Sequence, residues 1–330
     1  MATILEPESD TSLTPRSNTN NDATSRLRQN FAACRLSFKW LGTSKTLSSQ
    51  QKSQAAESFG ADGDSISAGK KLINTKHDAY KALTSLKSQA TRYWKQNSLP
   101  YPESGIRLIK QDRIEDFNGT FEDFREQLES GVRMFDEQFA EIKEAARLRL
   151  GSLFDLSDYP SSLVDEFQIQ WDFPAVDPPD YLRRLNPEVY AEQARRVSQR
   201  FDQAVEMAES AFVEELDKLV GHLASRLAGG DDGRPQIFRD SAVSNMAEFF
   251  SRFRELNVRS NDQLDDLVQR CESLMQGVEP QALRDNDSLR QSLSTNLSAV
   301  QSSLDQLIVD RPRRNIIRPG RQPNQSGQGQ

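Results

Sequence analysis

A mainly α-helical protein is the fold class the sequence predicts, organised around a long antiparallel helical hairpin or coiled-coil bundle and capped by a small two- or three-stranded sheet. Three observations predict it. Residues 186 to 228 read as one uninterrupted helix, residues 120 to 150 carry a second long apolar stripe, and residues 34–40 and 166–173 alternate as strands do. The first of these is the organising element. Asn186 suits an N-cap, Pro187 sits where a missing N–H costs nothing, and Gly229-Gly230 can close the far end in a left-handed conformation. Between them Tyr190, Ala194, Val197, Phe201, Val205, Ala208, Phe212, Leu216, Leu219, Leu223 and Leu227 recur at steps of three and four. About 43 residues of helix span roughly 64 Å. A stripe of that length needs partner helices to cover it.

Taken in order, residues 1–25 are polar and without apolar period, which predicts a disordered tail. Cys34, Leu36, Phe38 and Trp40 then alternate with Arg35, Ser37 and Lys39 until Gly42, a half-buried strand. From Ser65 to about Gln96, Ile66, Leu72, Ile73, Leu83, Leu86, Ala90 and Tyr93 fit a helical face, and Lys70, Lys71, Lys76, Lys81, Lys87, Arg92 and Lys95 make that helix strongly basic. Asn97, Pro100 and Pro102 end it, and Gly105 to Lys110 reads either as a strand or as a turn wedged against the core.

Asn118-Gly119-Thr120 opens the next helix, with Thr120 as N-cap and Asp123 in capping-box spacing. Its stripe of Phe121, Phe124, Leu128, Val132, Phe135, Phe139, Ile142, Ala146 and Leu150 is the expected partner of the stripe after Asn186. Phe167, Ile169, Trp171 and Phe173 alternate with Gln168, Gln170 and Asp172, and this strand is expected to pair with residues 34–40, since neither satisfies its backbone alone. Pro178-Pro179 reads as a stiff extended connector. Beyond Gly229 to Gly233 come helical segments at 241–256 and 262–278 and a last stripe from Leu283 to Leu307 that needs a further surface, then a basic tail with Arg311, Arg313, Arg314, Arg318 and Arg321. The resulting segments are 1–25, 26–230, 231–310 and 311–330.

Net charge is −7, but it is unevenly spread: residues 26–113 hold 16 Lys+Arg against 6 Asp+Glu, and residues 114–310 hold 20 against 39. Such asymmetry fits basic and acidic helices lying against each other, or an anionic partner at the basic part. The apolar fraction of 36% and mean hydropathy of −0.70 imply a thin core and a large surface. No apolar run is long enough for a membrane span, and Glu6, Glu8 and Asp10 do not suit a signal peptide, so a soluble cytoplasmic protein without membrane contact is expected. Cys34 and Cys271 read as buried thiols. His77 and His222 stand alone, no metal-ligand spacing occurs, and the Gly-rich stretch after residue 228 follows a helix and lacks a Gly-Lys-Ser/Thr ending. No catalytic residue, metal or cofactor is expected. Nucleic-acid contact is the alternative, through residues 70–95, where Arg92-Tyr93-Trp94-Lys95 joins cations to aromatics, and through the Arg-rich tail.

The segments Leu36-Ser-Phe-Lys-Trp40-Leu-Gly42, Lys70-Lys71-Leu72, Gly105-Ile-Arg-Leu-Ile within 102–109, and Leu150-Gly-Ser-Leu-Phe154 leading to Asp158-Tyr-Pro160 carry a resemblance. Over residues 33 to about 230 the sequence resembles an uncharacterised bacterial and phage family, a domain of unknown function. Members of that family are not known as enzymes, and some are encoded beside MoxR-type AAA+ ATPases and von Willebrand factor A proteins. The resemblance implies a scaffold or adaptor role and carries over no functional residue. The expected function is therefore non-enzymatic, acting through helical protein–protein interaction or self-association, with nucleic-acid association as the alternative.

Overall fold

The computed structural model describes residues 16–228 and 240–309. It is mainly helical with a small antiparallel sheet, as the periodicities predict. The chain divides into two compact units. The first takes in residues up to Glu209 together with Arg252–Ser260, and the second Ser210–Ser251 and the chain from Asn261 on.

The first unit opens with α1 (Arg16–Asn30), which leads directly into β1 (Phe31–Lys39). This corrects the expectation of a disordered tail up to residue 25. Ala23 and Leu27, four apart, are fully buried, and the Thr24 hydroxyl donates to Asp202 at 2.7 Å. Residues four apart lie on one face of a helix, so Ala23 and Leu27 are buried on the same side of α1. Residues 1–15 lie outside the described residues.

β2 (Ser44–Thr46), α2 (Ser49–Glu57) and β3 (Gly69–Lys71) follow, with β2 and β3 paired as a separate two-stranded sheet. A capping box between Ser48 and Gln51 starts α2. The helix expected from Ser65 therefore begins later, as α3 (Asp78–Gln96). Asn74 is the reason. Its side chain accepts from the Lys76 N–H at 3.0 Å and its carbonyl from the His77 N–H at 3.0 Å, a turn that competes with helix. Next come β4 (Ser98–Pro100), β5 (Ile106–Lys110), α4 (Ile114–Glu137), α5 (Phe139–Leu150) and β6 (Gln168–Asp172).

The main sheet has the order β4-β5-β1-β6, antiparallel throughout. The expected pairing of residues 34–40 with 166–173 is present, in a register that sets Leu36 opposite Trp171 and Phe38 opposite Ile169. Period-two alternation puts Cys34, Leu36, Ile109 and Ile169 into one core with Leu83, Leu86 and Ala90 of α3 and Phe117, Phe121, Leu128, Val132 and Phe135 of α4. Tyr93 sits among Phe117, Phe121 and Phe124 at 5.8 to 6.1 Å between ring centroids.

Two expectations about α4 give way. Its start is Ile114 rather than Thr120: Glu115 and Asp116 occupy the first turn, and the Thr120 hydroxyl donates to the Asp116 carbonyl at 3.0 Å as a helix-interior residue does. The single helix 120–150 is also broken at Gln138. Moreover, the α4–α5 stripe is covered by α3, the sheet and Tyr159, Leu163 and Phe167, and among the described residues that core includes none from the long helix after Asn186. An aromatic-rich sheet face nearby in the chain supplies the cover that a long hairpin was expected to supply.

Pro179 starts a short α6 (Asp180–Leu185) in place of a purely extended connector. α7 (Pro187–Ala228) then runs as read, with the Asn186 side chain accepting from the Val189 N–H at 3.1 Å. Its first half serves the first unit: Val197, Phe201, Ala204 and Val205 are buried, and Phe201 meets Tyr101 edge-on at 5.7 Å.

The second unit joins the other half of α7 to the part of α8 (Ser241–Leu256) up to Ser251, the rest of that helix belonging to the first unit, and to α9 (Asp262–Met275), α10 (Pro280–Asp285) and α11 (Asp287–Val309). Phe212 of α7 meets Phe249 of α8 at 6.2 Å, and the Ser294 hydroxyl of α11 donates to the Ala224 carbonyl of α7 at 3.4 Å. Leu293, Leu297, Val300 and Leu304 are buried, so the last stripe finds its surface inside this unit. The Gly229 to Gly233 break and the tail from Arg311 lie outside the described residues.

Candidate functional site: a cationic cleft beside the sheet

The basic residues singled out by sequence do not share one element. Lys70 and Lys71 stand on β3 and Lys76 in the turn after it, while Lys81, Lys87, Arg92 and Lys95 are on α3. Lys81 pairs with Asp78 at 3.0 Å, and the Lys87 ammonium lies over the rings of Phe38 and Trp40, at 5.0 and 4.6 Å. Lys71, Lys76, Arg92 and Lys95 are exposed. Arg107 turns inward. It donates to the Ser98 hydroxyl at 2.8 Å and to the Ser98 carbonyl at 2.7 Å, and burial together with the charge of Arg252 pushes its pKa down to about 10. Arg311, Arg313, Arg314, Arg318 and Arg321 lie outside the described residues.

Lys70 has the most structural role of the set. Its side chain is 5% exposed and its ammonium lies 2.5 Å from Oδ2 of Asp158, itself 2% exposed, and 2.7 Å from the Leu153 carbonyl. Lys45 of β2 reaches the other carboxylate oxygen at 2.5 Å. Hydrogen bonds from Lys45 and Lys70 hold the Asp158 carboxyl below its ordinary range. This knot ties the small sheet to the segment after α5.

Sequence reasoning missed a different place. The C-terminal end of α1, the start of β1, the end of β5 and the turn after α8 enclose an open cleft of about 550 Å³. Its lining holds three cations, Arg26, Lys110 and Arg259, three amides, Asn30, Gln111 and Asn257, one carboxylate, Asp112, and the apolar Phe31 and Val258. The walls are braced by the chain's own contacts. Arg26 donates from Nη2 to the Arg259 carbonyl at 3.0 Å and pairs through Nη1 with Asp22 at 3.0 Å, while its Nε is buried with no hydrogen-bond partner. Gln111 donates to the Phe31 carbonyl at 3.4 Å, and Lys110 faces Asp112 at 3.7 Å. Arg259 has φ of 52°, left-handed for a residue with a side chain, and its N–H donates to the Asn257 side chain at 2.9 Å.

No single stretch of sequence signals this cleft, because its residues come from positions 26–31, 110–112 and 257–259. Arg259 before Ser260-Asn261 reads as an ordinary polar turn. Elsewhere, burial pushes the thiols of Cys34 and Cys271 up to about 12, which keeps both protonated and poor as nucleophiles. Among the described residues no group of three His, Cys, Asp or Glu side chains converges as a metal site, and no helix is long and apolar enough to cross a membrane. No protein-family model matches the chain, nor does any curated protein or solved structure.

Proposed function

We propose that the protein is a non-enzymatic structural or adaptor protein that acts through contacts between its helices and other chains, a second copy included. The observation that carries this reading is the apolar surface at the entry to α7. Tyr181 and Leu185 of α6 and Val189 of α7 stand within nine residues of each other and are exposed, Leu185 by 77%. Large apolar side chains grouped on a helical surface favour a partner that covers them. The two buried free thiols fit a reducing compartment and so the cytoplasm. An AAA+ ATPase system is the setting that the family resemblance implies.

Light scattering across a concentration series tests the reading. Association that rises with concentration and is lost in Leu185→Glu supports it, with no response to a single-stranded oligonucleotide. The second reading, nucleic-acid association, draws on the exposed Lys71, Lys76, Arg92 and Lys95. A monomer that shifts with the oligonucleotide at low salt and releases it at high salt would sink the adaptor reading in its favour.

A further inference from the structure

We propose that the open edge of β6 pairs with the same strand of a second copy, joining two four-stranded sheets into one across a two-fold axis at Gln170. This surface is separate from the exposed residues of α6 and α7 on which the adaptor reading rests.

The two edges of the sheet are finished differently. β4, at one end, is three residues long, with Ser98 and Leu99 buried and Pro100 unable to donate, and Arg107 donates to the Ser98 carbonyl at 2.7 Å. Native sheets protect their edges in such ways, because a row of free N–H and C=O groups recruits another strand. β6, at the other end, has five residues, Gln-Ile-Gln-Trp-Asp, without proline, glycine or lysine. Among the described residues its backbone hydrogen-bonds to β1 alone, so the groups turned the other way have no protein partner. Gln170 and Asp172 are exposed, and Phe173, just beyond the strand, is 36% exposed.

The strand is its own complement. Directly opposite residues of an antiparallel pair share a face, so only registers that oppose residues of like face keep both sets of helices on one side of the joined sheet. Centred on Gln170, such a register overlaps all five residues. It sets Ile169 opposite Trp171 of the second copy and Gln168 opposite its Asp172, each contact made twice. Ile169 and Trp171 lie on the face packed against α4, and a β-branched residue opposite an aromatic one stabilises a sheet. The outer pair is complementary in charge and hydrogen bonding. Gln170 donates to Oε1 of Gln168 at 2.9 Å, which leaves the Gln168 amide nitrogen free to donate. The Asp172 carboxylate that would accept is 58% exposed, with Arg35 at 4.0 Å. No like charges face each other within the paired strands, and a two-fold contact needs that self-complementarity.

Sedimentation velocity on the full-length protein tests the proposal. A dimer of twice 37.4 kDa is expected. Gln170→Lys sets two ammonium groups opposite each other at the axis and should raise the dimer dissociation constant roughly tenfold or more. Its melting temperature should stay at the wild-type value, because Gln170 is exposed. Leu185→Glu should leave this dimer intact while removing growth beyond it. Cysteine crosslinking fixes the register without relying on the lysine variant. Both native thiols are buried, so with a short bis-maleimide Gln170→Cys should give a covalent dimer, and Gln168→Cys, which faces Asp172, far less. A wild-type protein that stays monomeric, a dimer that survives Gln170→Lys, or a crosslink at 168 as strong as at 170 overturns the proposal. A dimer lost in Leu185→Glu also overturns it and credits the helical surface instead, so the two readings fail separately.

Discussion

Replacing Lys70 by methionine leaves the Asp158 carboxylate, 2% exposed, with Lys45 as its remaining cation and takes a donor from the Leu153 carbonyl. Removing one partner of a buried ion pair costs about 3–5 kcal/mol, because the other charge stays desolvated. Lys45 persists in the variant and the knot lies under a thin two-stranded sheet, so a loss of about 3 kcal/mol is expected, at the low end of that range. Tryptophan fluorescence in urea reads this cleanly. Trp40, Trp94 and Trp171 all belong to the first unit, so the signal reports that unit and not the second. With a slope of about 2–3 kcal/mol per molar, the midpoint should fall by roughly 1 to 1.5 M. The double variant Lys70→Met with Asp158→Leu removes both charges and should recover to within about 1 kcal/mol of wild type. Hydrogen bonds from Lys45 and Lys70 lower the folded-state pKa of Asp158. Its contribution is therefore fully present above the unfolded carboxylate value near pH 4 and is lost as pH falls through the depressed folded value. A Lys70→Met midpoint equal to wild type, or a double variant no better than the single one, would refute the reasoning.

Other variants probe packing and charge elsewhere. Phe121 is fully buried against Tyr93, Phe117, Phe124 and Trp171, so Phe121→Ala should cost about 3–5 kcal/mol by the same fluorescence assay. Two helix glycines should respond with opposite signs. A Cβ at Gly131 would lie 2.8 Å from the Cδ2 of buried Leu83, so Gly131→Ala should destabilise the first unit by about 1–2 kcal/mol despite its better helix propensity. A Cβ at Gly221 meets instead the mobile end of Gln301 at 2.8 Å, and Gly221→Ala should raise the melting temperature read by circular dichroism, with a gain of up to about 1 kcal/mol. In the second unit, burial and then the nearby Asp305 raise the pKa of Asp217, against Lys218, and its Oδ1 is buried without a partner. A raised carboxyl pKa means that stability falls as pH rises from the unfolded to the folded value. Asp217→Asn should therefore stabilise at pH 7 and flatten the melting profile above the unfolded carboxylate value near pH 4. A variant with the wild-type pH profile would count against that assignment.

Local signals made the strands and the long helix legible. The alternation of Cys34, Leu36 and Phe38 against Ile169 and Trp171 set both strands and their pairing, and Asn186-Pro187 marked the start of α7. What failed depended on competition. Ile66, Leu72 and Ile73 keep step with α3 by spacing, but the Asn74 turn and the capture of Lys70 by Asp158 hold that stretch out of the helix. The stripe of α7 runs unbroken across Glu209 and Ser210, so nothing in its period shows that its two halves serve different units. The cleft was invisible for a different reason. Three segments, the outermost more than 200 residues apart, supply its lining, and an apolar or polar period reports one element at a time.

Part of the charge asymmetry of the sequence resolves into folding. Lys45 and Lys70 go to Asp158, Arg28 to Asp177, Arg35 to Asp172, Lys39 to Glu166, and Arg113 to Glu255, each a cation from the basic stretch 26–113 meeting an acid from the stretch after it. Apart from Lys70 these cations are substantially exposed, and an exposed pair is worth at most about 1 kcal/mol. Their effect is to select register and neighbours more than to add stability. A lysine-rich segment is therefore weak grounds for an anionic partner once its charges have partners in the same unit.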